Sequence, residues 1–276
     1  MIPPEERQTM AFQLTEKNGL SWVSSDLLDN RHLFTRRLGG AGDYPYSSNP
    51  ESVWWSEPVQ SRVRELWIRF RDAGGFPEEG FCFTHQIHGT EIRYVTEAER
   101  QLPPLPAVPA DCDGLITDRP GVPLCIFTAD CVPVLLSEPE RGIVCAVHSG
   151  WRGTVKDMMG AAVQAICAMG GRPEHIRAAI GPAASGCCYE TGPEVKEAAE
   201  ALLGADAAGT CPPEEGVPGK YMVDLKEVNR RRLLQLGVAP ERIDVSADCT
   251  IHMSDVYWSH RVTKGVRGTM ASVIML

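Results

Sequence analysis

Three short segments place residues that could bind a metal ion at the ends of apolar, strand-like stretches. The segments are 84–89 (THQIHG), 128–133 (TADCVP) and 146–153 (AVHSGWRG). Their potential ligands are His88, Cys131 and His148, and each is followed within two residues by glycine or proline. Two neutral imidazoles and a thiolate suit zinc, and three protein ligands leave open the fourth position that catalytic zinc sites keep. The pattern therefore predicts a candidate zinc site.

The residues alone leave other uses of these side chains open. Their separations match no local zinc motif such as CxxC, so a structural histidine or an inert core cysteine is also compatible with the pattern. Side chains alternate along a strand, which predicts that Gln86 and His88 share one face and His85 lies on the other. A metal-free cysteine hydrolase, with Cys131 as nucleophile and His148 as base, is a further alternative.

Segment 149–154 (SGWRGT) leads from a predicted strand directly into a predicted helix. A glycine-containing turn at a helix start offers free backbone N–H groups to an anion, and Arg152 adds positive charge. The segment is not a Walker A loop, because the GxxxxGK[ST] pattern is absent. An ordinary strand-to-helix turn, with Trp151 as a packing residue, explains the pattern equally well.

The elements that must position these residues follow from the apolar patterning. A long surface loop is expected over 31–50, which is rich in Gly, Ser, Pro and Asn. Helices are predicted over 59–71, over 155–169, from a capping box at 191–194 to about Leu203, and after an N-cap at Asp224. Strands are predicted over 81–95 with a break at Gly89, and over 113–118, 123–130, 132–137, 142–148, 176–181, 243–247 and 270–275. Because strands and helices do not alternate strictly, we expect an α+β fold of mixed β-sheets layered with helices, forming a single compact domain over 1–276.

Composition narrows the class of protein. The 276 residues carry a net charge of −9, which disfavours a nucleic-acid partner. No apolar run approaches the ~18 residues that span a membrane, and no export signal is recognisable, so a cytoplasmic protein with reduced thiols is expected. Cys187 and Cys188 are adjacent, and in an extended segment they would point in opposite directions and could not easily share a metal ion.

Five ordered blocks resemble the signatures of the laccase-domain, or YfiH-like, family. They are 86–89 (QIHG), 129–133 (ADCVP), 148–153 (HSGWRG), 180–182 (IGP) and 187–190 (CCYE), and further similar blocks lie at 34–40, 46–49, 223–229, 249–250 and 258–261. This family was first described as polyphenol oxidases. It is now associated with zinc-dependent purine nucleoside phosphorylase activity, together with adenosine deamination and methylthioadenosine cleavage.

The resemblance implies a set of functional residues. The family's metal ligands fall on His88, Cys131 and His148, and its N-terminal polar residues fall on Arg37 and Asn49, which we expect at the mouth of the substrate site. The further candidates for catalysis in the same blocks are Gln86, Asp130 and Arg152. The C-terminal block departs from the family pattern, because Val262 follows Arg261 and the next arginine is Arg267.

The primary hypothesis is a zinc enzyme that cleaves purine nucleosides with phosphate. Zinc could polarise a phosphate or substrate oxygen, or activate the water needed for deamination. Phosphate is expected near Arg37 or the 150–153 turn. Copper also accepts these ligands, so a copper polyphenol oxidase is an alternative, although a four-electron oxidase needs several coppers and many histidines, and only two of the seven present fall in the triad. A non-enzymatic partner module is the remaining alternative. The expected partners are a nucleoside and phosphate, with no nucleic acid and no membrane, and the sequence does not predict an oligomeric state.

Overall fold

The computed structural model describes residues 12–37, 59–103, 110–265 and 267–276, and in these ranges two mixed sheets form the framework. The first sheet has the strand order β1-β2-β3-β14-β7-β4, and the second has the order β13-β10-β8-β9-β6-β5. The strands are β1 (Phe12–Lys17), β2 (Leu20–Ser25), β3 (Arg31–Thr35), β4 (Cys82–Phe83), β5 (Ile92–Tyr94), β6 (Gly114–Thr117), β7 (Leu124–Thr128), β8 (Val132–Glu138), β9 (Ile143–Ser149), β10 (Arg177–Ile180), β11 (Glu190–Thr191), β12 (Tyr221–Met222), β13 (Ile243–Val245) and β14 (Met270–Met275).

Helices cover the outer faces of the two sheets. Their bounds are α1 (Val59–Gly74), α2 (Trp151–Val155), α3 (Met158–Ala168), α4 (Pro193–Leu203), α5 (Leu225–Gln235) and α6 (His260–Thr263). The described part of the chain contains no helix that is both long and apolar enough to cross a lipid bilayer.

Strict alternation along the strands builds three apolar layers. Cys125 and Phe127 of β7 face the aromatic layer under α1, while Leu124 and Ile126 face the layer between the two sheets. In β9 the even positions Val144 and Ala146 also face the layer between the sheets, and the odd positions face the helices α3 to α5. This is the side-chain period of two that a strand imposes. The shared core between the sheets makes the fold a single compact α+β domain, as expected.

Several predicted boundaries were wrong, and tertiary pairing explains them. Residues 31–35 are not part of a surface loop, because they form β3 and pair with β14. The stretch 81–95 is not a strand with one break: β4 ends at Phe83, and the chain then forms a loop in which His88 has a positive φ of 61°. The parity argument that put Gln86 and His88 on one face therefore does not hold.

The predicted helix over 155–169 is divided at Asp157, which adopts a left-handed conformation with φ of 71°. Its carboxylate accepts the Gly160 N–H and pairs with Arg232 of α5 at 2.7 Å, so tertiary contacts stabilise the break. The capping box at 191–194 was also wrong. Gly192 is the N-cap of α4 and has no side-chain bond, whereas Asp224 caps α5 as predicted by accepting the Glu227 N–H.

Candidate metal centre and adjoining cavity

The three predicted metal ligands meet where the two sheets approach each other. His88 lies in the loop after β4, Cys131 lies in the short connection from β7 to β8, and His148 lies near the end of β9. Their ligand atoms are all within 4.8 Å of one another, and Cys131 Sγ is 4.0 Å from His88 Nε2. Both sheets therefore contribute to one three-ligand group that could hold a metal ion.

Asp113 orients two of these ligands. It is fully buried directly before β6, and its Oδ1 accepts the Nδ1–H of His148 at 2.7 Å, which leaves Nε2 of that ring available as a ligand atom. The same carboxylate accepts the backbone N–H groups of Ile87, His88 and Gly89 at 3.1, 3.0 and 2.7 Å. One side chain thus fixes the tautomer of His148 and the loop that carries His88, as carboxylates around metal sites commonly do.

Gly150 leaves the space in which the ligands converge. A Cβ atom at this position would lie 2.9 Å from His88 Cδ2 and 3.1 Å from Cys131 Sγ. Both distances are too short for a side chain to fit without moving a ligand. The glycine in the HSGWRG segment is therefore required by the close approach of two ligands.

The electrostatics of the group favour a thiolate ligand. Burial opposes ionisation of Cys131, but His148 and His88 outweigh this effect and lower the pKa of the thiol to about 6. Burial would likewise lower the pKa of His148, yet the Cys131 thiolate and the hydrogen bond to Asp113 raise it to about 9. The pKa of Asp113 lies below its usual range despite burial, because of the hydrogen bonds from His148 and the 87–89 loop.

The donor set itself fits a borderline metal ion. Two imidazole nitrogens and one thiolate are ligands of both zinc and copper, whereas magnesium and calcium prefer oxygen. A carboxylate that accepts the N–H of a metal-binding histidine, as Asp113 does for His148, is also common at metal sites. The residues therefore fit a transition-metal ion, and the donors do not by themselves distinguish zinc from copper.

A cavity of about 300 Å³ opens beside the metal ligands. Its size is at the lower end of the range for small-molecule sites. It is lined by His88, Ala129, Asp130, Cys131, Trp151, Arg152, Tyr189, Leu225, His260, Arg261 and Arg267.

Three arginines give this cavity a positive wall. Arg261 donates to the Glu190 carbonyl at 2.9 Å and lies over the Tyr189 ring, and Arg152 lies over the Trp151 ring at 4.5 Å. Arg267 donates to His260 Nδ1 at 3.1 Å, and burial lowers its pKa. Within the described ranges, none of the three forms an ion pair with a carboxylate. Guanidinium groups that line a cavity and form no ion pair are suited to bind an anionic ligand.

The other predicted catalytic residues have distinct positions. Asp130 lines the cavity, but its carboxylate already accepts hydrogen bonds from Thr250, Ser259 and the Arg261 N–H at 2.7, 3.0 and 2.7 Å. It therefore positions the segment that carries Arg261. Gln86 does not line the cavity, because its amide exchanges two 2.7 Å hydrogen bonds with the backbone of Phe127.

Arg37 is outside the set of residues that line the cavity. Its guanidinium donates to the Ser254 carbonyl at 3.0 Å and stacks 4.1 Å from the Trp258 ring. Asn49 lies outside the described residues. A role for either residue at the substrate mouth stays a prediction.

Sequence reasoning missed Asp113 and did not predict that Arg267 would reach the cavity. Asp113 reads as the first residue of a strand, and only its position beside His148 shows its use. Arg267 follows a departure from the family pattern, yet the structure brings its guanidinium to the cavity wall that also holds Arg261. For Asp113, the signal available in the sequence was an acidic residue at the start of an otherwise apolar predicted strand.

The fold and the site together define a two-sheet α+β protein with a His–Cys–His group that could hold a metal ion, beside a cationic cavity. The chain belongs to the laccase-domain, YfiH-like family, since the family model described as multi-copper polyphenol oxidoreductase laccase matches residues 31–276. It is 37% identical over 208 residues to purine nucleoside phosphorylase YlmD of Geobacillus stearothermophilus, covering 72% of this chain and 73% of that protein.

Two further comparisons extend the match to nearly the full length. A purine nucleoside phosphorylase of Deinococcus radiodurans is 34% identical over 258 residues, covering 94% of each chain. The crystal structure of YlmD from Geobacillus stearothermophilus superimposes with a TM-score of 0.84 at 32% identity, covering 96% of this chain and 98% of that one. These similarities confirm the family and the fold that the sequence predicts.

Proposed function

We propose that this protein is a zinc-dependent purine nucleoside phosphorylase, which converts adenosine or inosine and phosphate into the free base and ribose 1-phosphate. The observation that carries the proposal is the juxtaposition of the His88–Cys131–His148 group with three arginines that form no ion pair within the described residues. The names of the similar proteins suggest the substrate class, and the residues around the cavity support binding of an anion beside a metal ion.

The reaction sets clear demands on the cavity. A phosphate oxygen attacks C1′ of the ribose, the bond from C1′ to the base breaks, and the base leaves with the electron pair and takes up a proton. The site must hold the phosphate dianion next to C1′ and stabilise the charge that develops. Zinc, when held by His88, Cys131 and His148, supplies Lewis acidity toward an oxygen of phosphate or substrate.

We assign the phosphate subsite to Arg152, Arg261 and Arg267. The planar guanidinium group binds phosphate oxygens in pairs, and three such groups supply enough positive charge to offset that of the dianion. Asp130 keeps Arg261 in place through its backbone N–H. Of the two positions expected from the sequence, this assignment keeps the 150–153 turn, through Arg152, and does not use Arg37.

The base is proposed to lie against the aromatic wall. Tyr189 and Trp151 line the cavity and offer ring faces for stacking on a purine. The same enclosed site, beside a metal group that can activate water, supports the further proposal that the protein deaminates adenosine and cleaves methylthioadenosine.

The test uses metal-stripped and zinc-restored protein with adenosine and inosine, each with and without phosphate, and identifies the products by chromatography. We expect free base and ribose 1-phosphate only when phosphate is present, and inosine from adenosine even without it. Removal of the metal should abolish both reactions, and zinc should restore them. Full activity of the stripped protein, or no phosphate-dependent release of base, would contradict the proposal.

The phosphate subsite is tested with Arg261→Lys, which keeps the charge and loses the planar fork. We expect the KM for phosphate to rise roughly ten- to a hundredfold, since a hydrogen bond to a charged group contributes about 1.5–3 kcal/mol, while the zinc content is unchanged. Arg93→Lys is the matched control, because Arg93 is an exposed residue of β5 paired with Glu99. An unchanged KM in Arg261→Lys would move the phosphate away from this wall.

A further inference from the structure

A second group of potential metal ligands, made of three cysteines, lies outside the cavity lining. The Sγ atoms of Cys187, Cys188 and Cys249 are all within 4.8 Å of one another, and those of Cys187 and Cys188 are 3.4 Å apart. The expectation that the adjacent cysteines point in opposite directions was wrong. The N–H groups of Cys188 and Tyr189 both donate to the Ser185 carbonyl at 3.0 Å, so the segment is a tight turn and not an extended strand.

The third sulfur comes from a distant part of the chain. Cys249 follows β13 and pairs with Ala183 through an isolated parallel bridge, in which the Thr250 N–H donates to the Ala183 carbonyl at 3.1 Å. The Ser185 N–H donates to Cys249 Sγ at 3.4 Å, a contact that favours the thiolate form of this sulfur. The backbone thus holds Cys249 against the turn that carries the other two cysteines.

The burial of the cluster suits ion entry from one side. Cys249 is 4% exposed and forms the floor, Cys188 is partly exposed, and Cys187 is exposed at the rim. Beside them is the buried Lys226, whose ammonium group donates to the carbonyls of Ser246 and Asp248 and interacts electrostatically with Cys249 and Cys187. This positive charge offsets part of the negative charge that three thiolates would bring to the site.

We propose that Cys187, Cys188 and Cys249 form a second metal site, which binds one thiophilic d10 cation, Zn²⁺ or Cu⁺. Thiolates select these soft or borderline ions over magnesium, calcium and manganese. Tetrahedral zinc with Zn–S bonds of about 2.3 Å places sulfurs roughly 3.8 Å apart. The separations in this cluster, from 3.4 Å to no more than 4.8 Å, bracket that value. Binding displaces the remaining thiol protons to the solvent.

The second site is linked to the cavity by both of its segments. Cys188 directly precedes Tyr189, which lines the cavity. Cys249 directly precedes Thr250, whose hydroxyl donates to Asp130 at 2.7 Å, and Asp130 is the neighbour of Cys131. A metal ion held by the three cysteines therefore ties together two walls of the cavity, so we assign it a structural role that is independent of the proposed reaction.

The experiment counts metal equivalents in reduced, metal-free protein. Zn²⁺ and, without oxygen, Cu⁺ are titrated separately against a competing chelator, and circular dichroism checks the fold of each variant. We expect two equivalents of at least one ion in the unmodified chain and one equivalent in Cys131→Ala, in Cys249→Ser and in Cys187→Ser. The double variant Cys131→Ala, Cys249→Ser should bind none. Cys167→Ser is the matched control, because Cys167 is an exposed thiol that belongs to neither group, and it should retain two equivalents.

Two outcomes of the metal titrations would overturn the proposal of a second site. If the unmodified chain binds only one equivalent of each ion and loses it in Cys131→Ala, the cysteine cluster is not a metal site. The same conclusion follows if Cys187→Ser and Cys249→Ser both retain two equivalents. Cys187 is exposed, so its variant tests the site even if Cys249→Ser fails to fold. Because metal binding is measured without substrate, this outcome is separate from success or failure of the phosphorylase assay.

Discussion

At the scale of single residues, the chemistry depends on which neighbours each side chain meets. Cys131 would be a weakly acidic thiol in water, and Cys125 on the preceding strand shows the usual effect of burial, which raises the pKa of its thiol. In Cys131 the two histidines reverse that effect and lower the pKa to about 6. The same residue type is thus a buried thiol with a raised pKa at one position and a thiol suited to bind a metal ion six residues later.

This difference predicts an unusual pH dependence for alkylation of the metal-free protein. Because the pKa of Cys131 is lowered, its reactive thiolate is present above about pH 6 and is lost as the pH falls through that value. Its rate of reaction with iodoacetamide should therefore be close to its maximum at neutral pH. Cys167, whose pKa is raised by burial, should still react faster with each increase in pH.

The rates are measured at each cysteine by peptide mass spectrometry. Zinc should protect Cys131 and leave Cys167 unaffected. Parallel pH profiles for the two cysteines in the stripped protein would show that the histidines do not activate Cys131.

At the scale of elements, the site depends on how three strands and one loop are joined. Asp113, directly before β6, holds His148 on the neighbouring strand β9 and the 87–89 loop that leaves the other sheet. Gln86 fixes the beginning of that loop to β7. The Ser149 hydroxyl donates to Asn229 of α5 at 2.9 Å, so the turn after β9 is also fixed.

We expect Asp113→Asn to weaken zinc binding by about 10- to 100-fold, which is the usual cost of losing an outer-shell partner of a metal ligand. The amide cannot match the carboxylate as an acceptor for His148 Nδ1–H and three backbone N–H groups. Affinity is measured by competition with a chelator, and circular dichroism checks that the variant is folded.

Asp118→Asn is the control for this substitution. Asp118 follows the same strand β6, but it is exposed and accepts a hydrogen bond from Tyr94. Equal zinc affinity of Asp113→Asn and the unmodified chain would show that the carboxylate does not support the ligands.

At the scale of the whole molecule, the side chains of His88, Cys131 and His148 are close together only while the two sheets are packed against each other. His88 leaves the first sheet, His148 belongs to the second, and Cys131 lies on the connection between them. The layer between the sheets contains fully buried side chains such as Leu124 of β7 and Leu135 of β8. The free energy that holds this layer together is therefore also what brings the ligands into one place.

Leu135→Ala should lower the free energy of unfolding by about 2–5 kcal/mol, because it removes a fully buried side chain and leaves a cavity. Leu14→Ala on β1 is the control, since Leu14 is 53% exposed and surface changes usually remain within about 0.5 kcal/mol. Denaturant unfolding measures both values. Equal stability of the two variants would contradict the assignment of Leu135 to the core between the sheets.

The sequence by itself determined the elements that depend on local patterns. Runs of apolar residues predict β6 to β9, helical spacing predicts α1, and the acidic N-cap predicts α5, because each needs only the period of its own backbone or one nearby hydrogen bond. The group His88, Cys131 and His148 was also predicted, from residue type at strand ends and from the family blocks, and the structure brings the three side chains together.

Only the tertiary structure decided which of these residues meet. His88 is delivered by a loop that side-chain parity cannot describe, and Asp113 and Arg267 become part of the site through sheet pairing and loop position. Cys249 joins Cys187 and Cys188 through a bridge that spans more than sixty residues of chain. The physical reason is that long-range convergence depends on how separate apolar layers pack, and no short stretch of sequence contains that information.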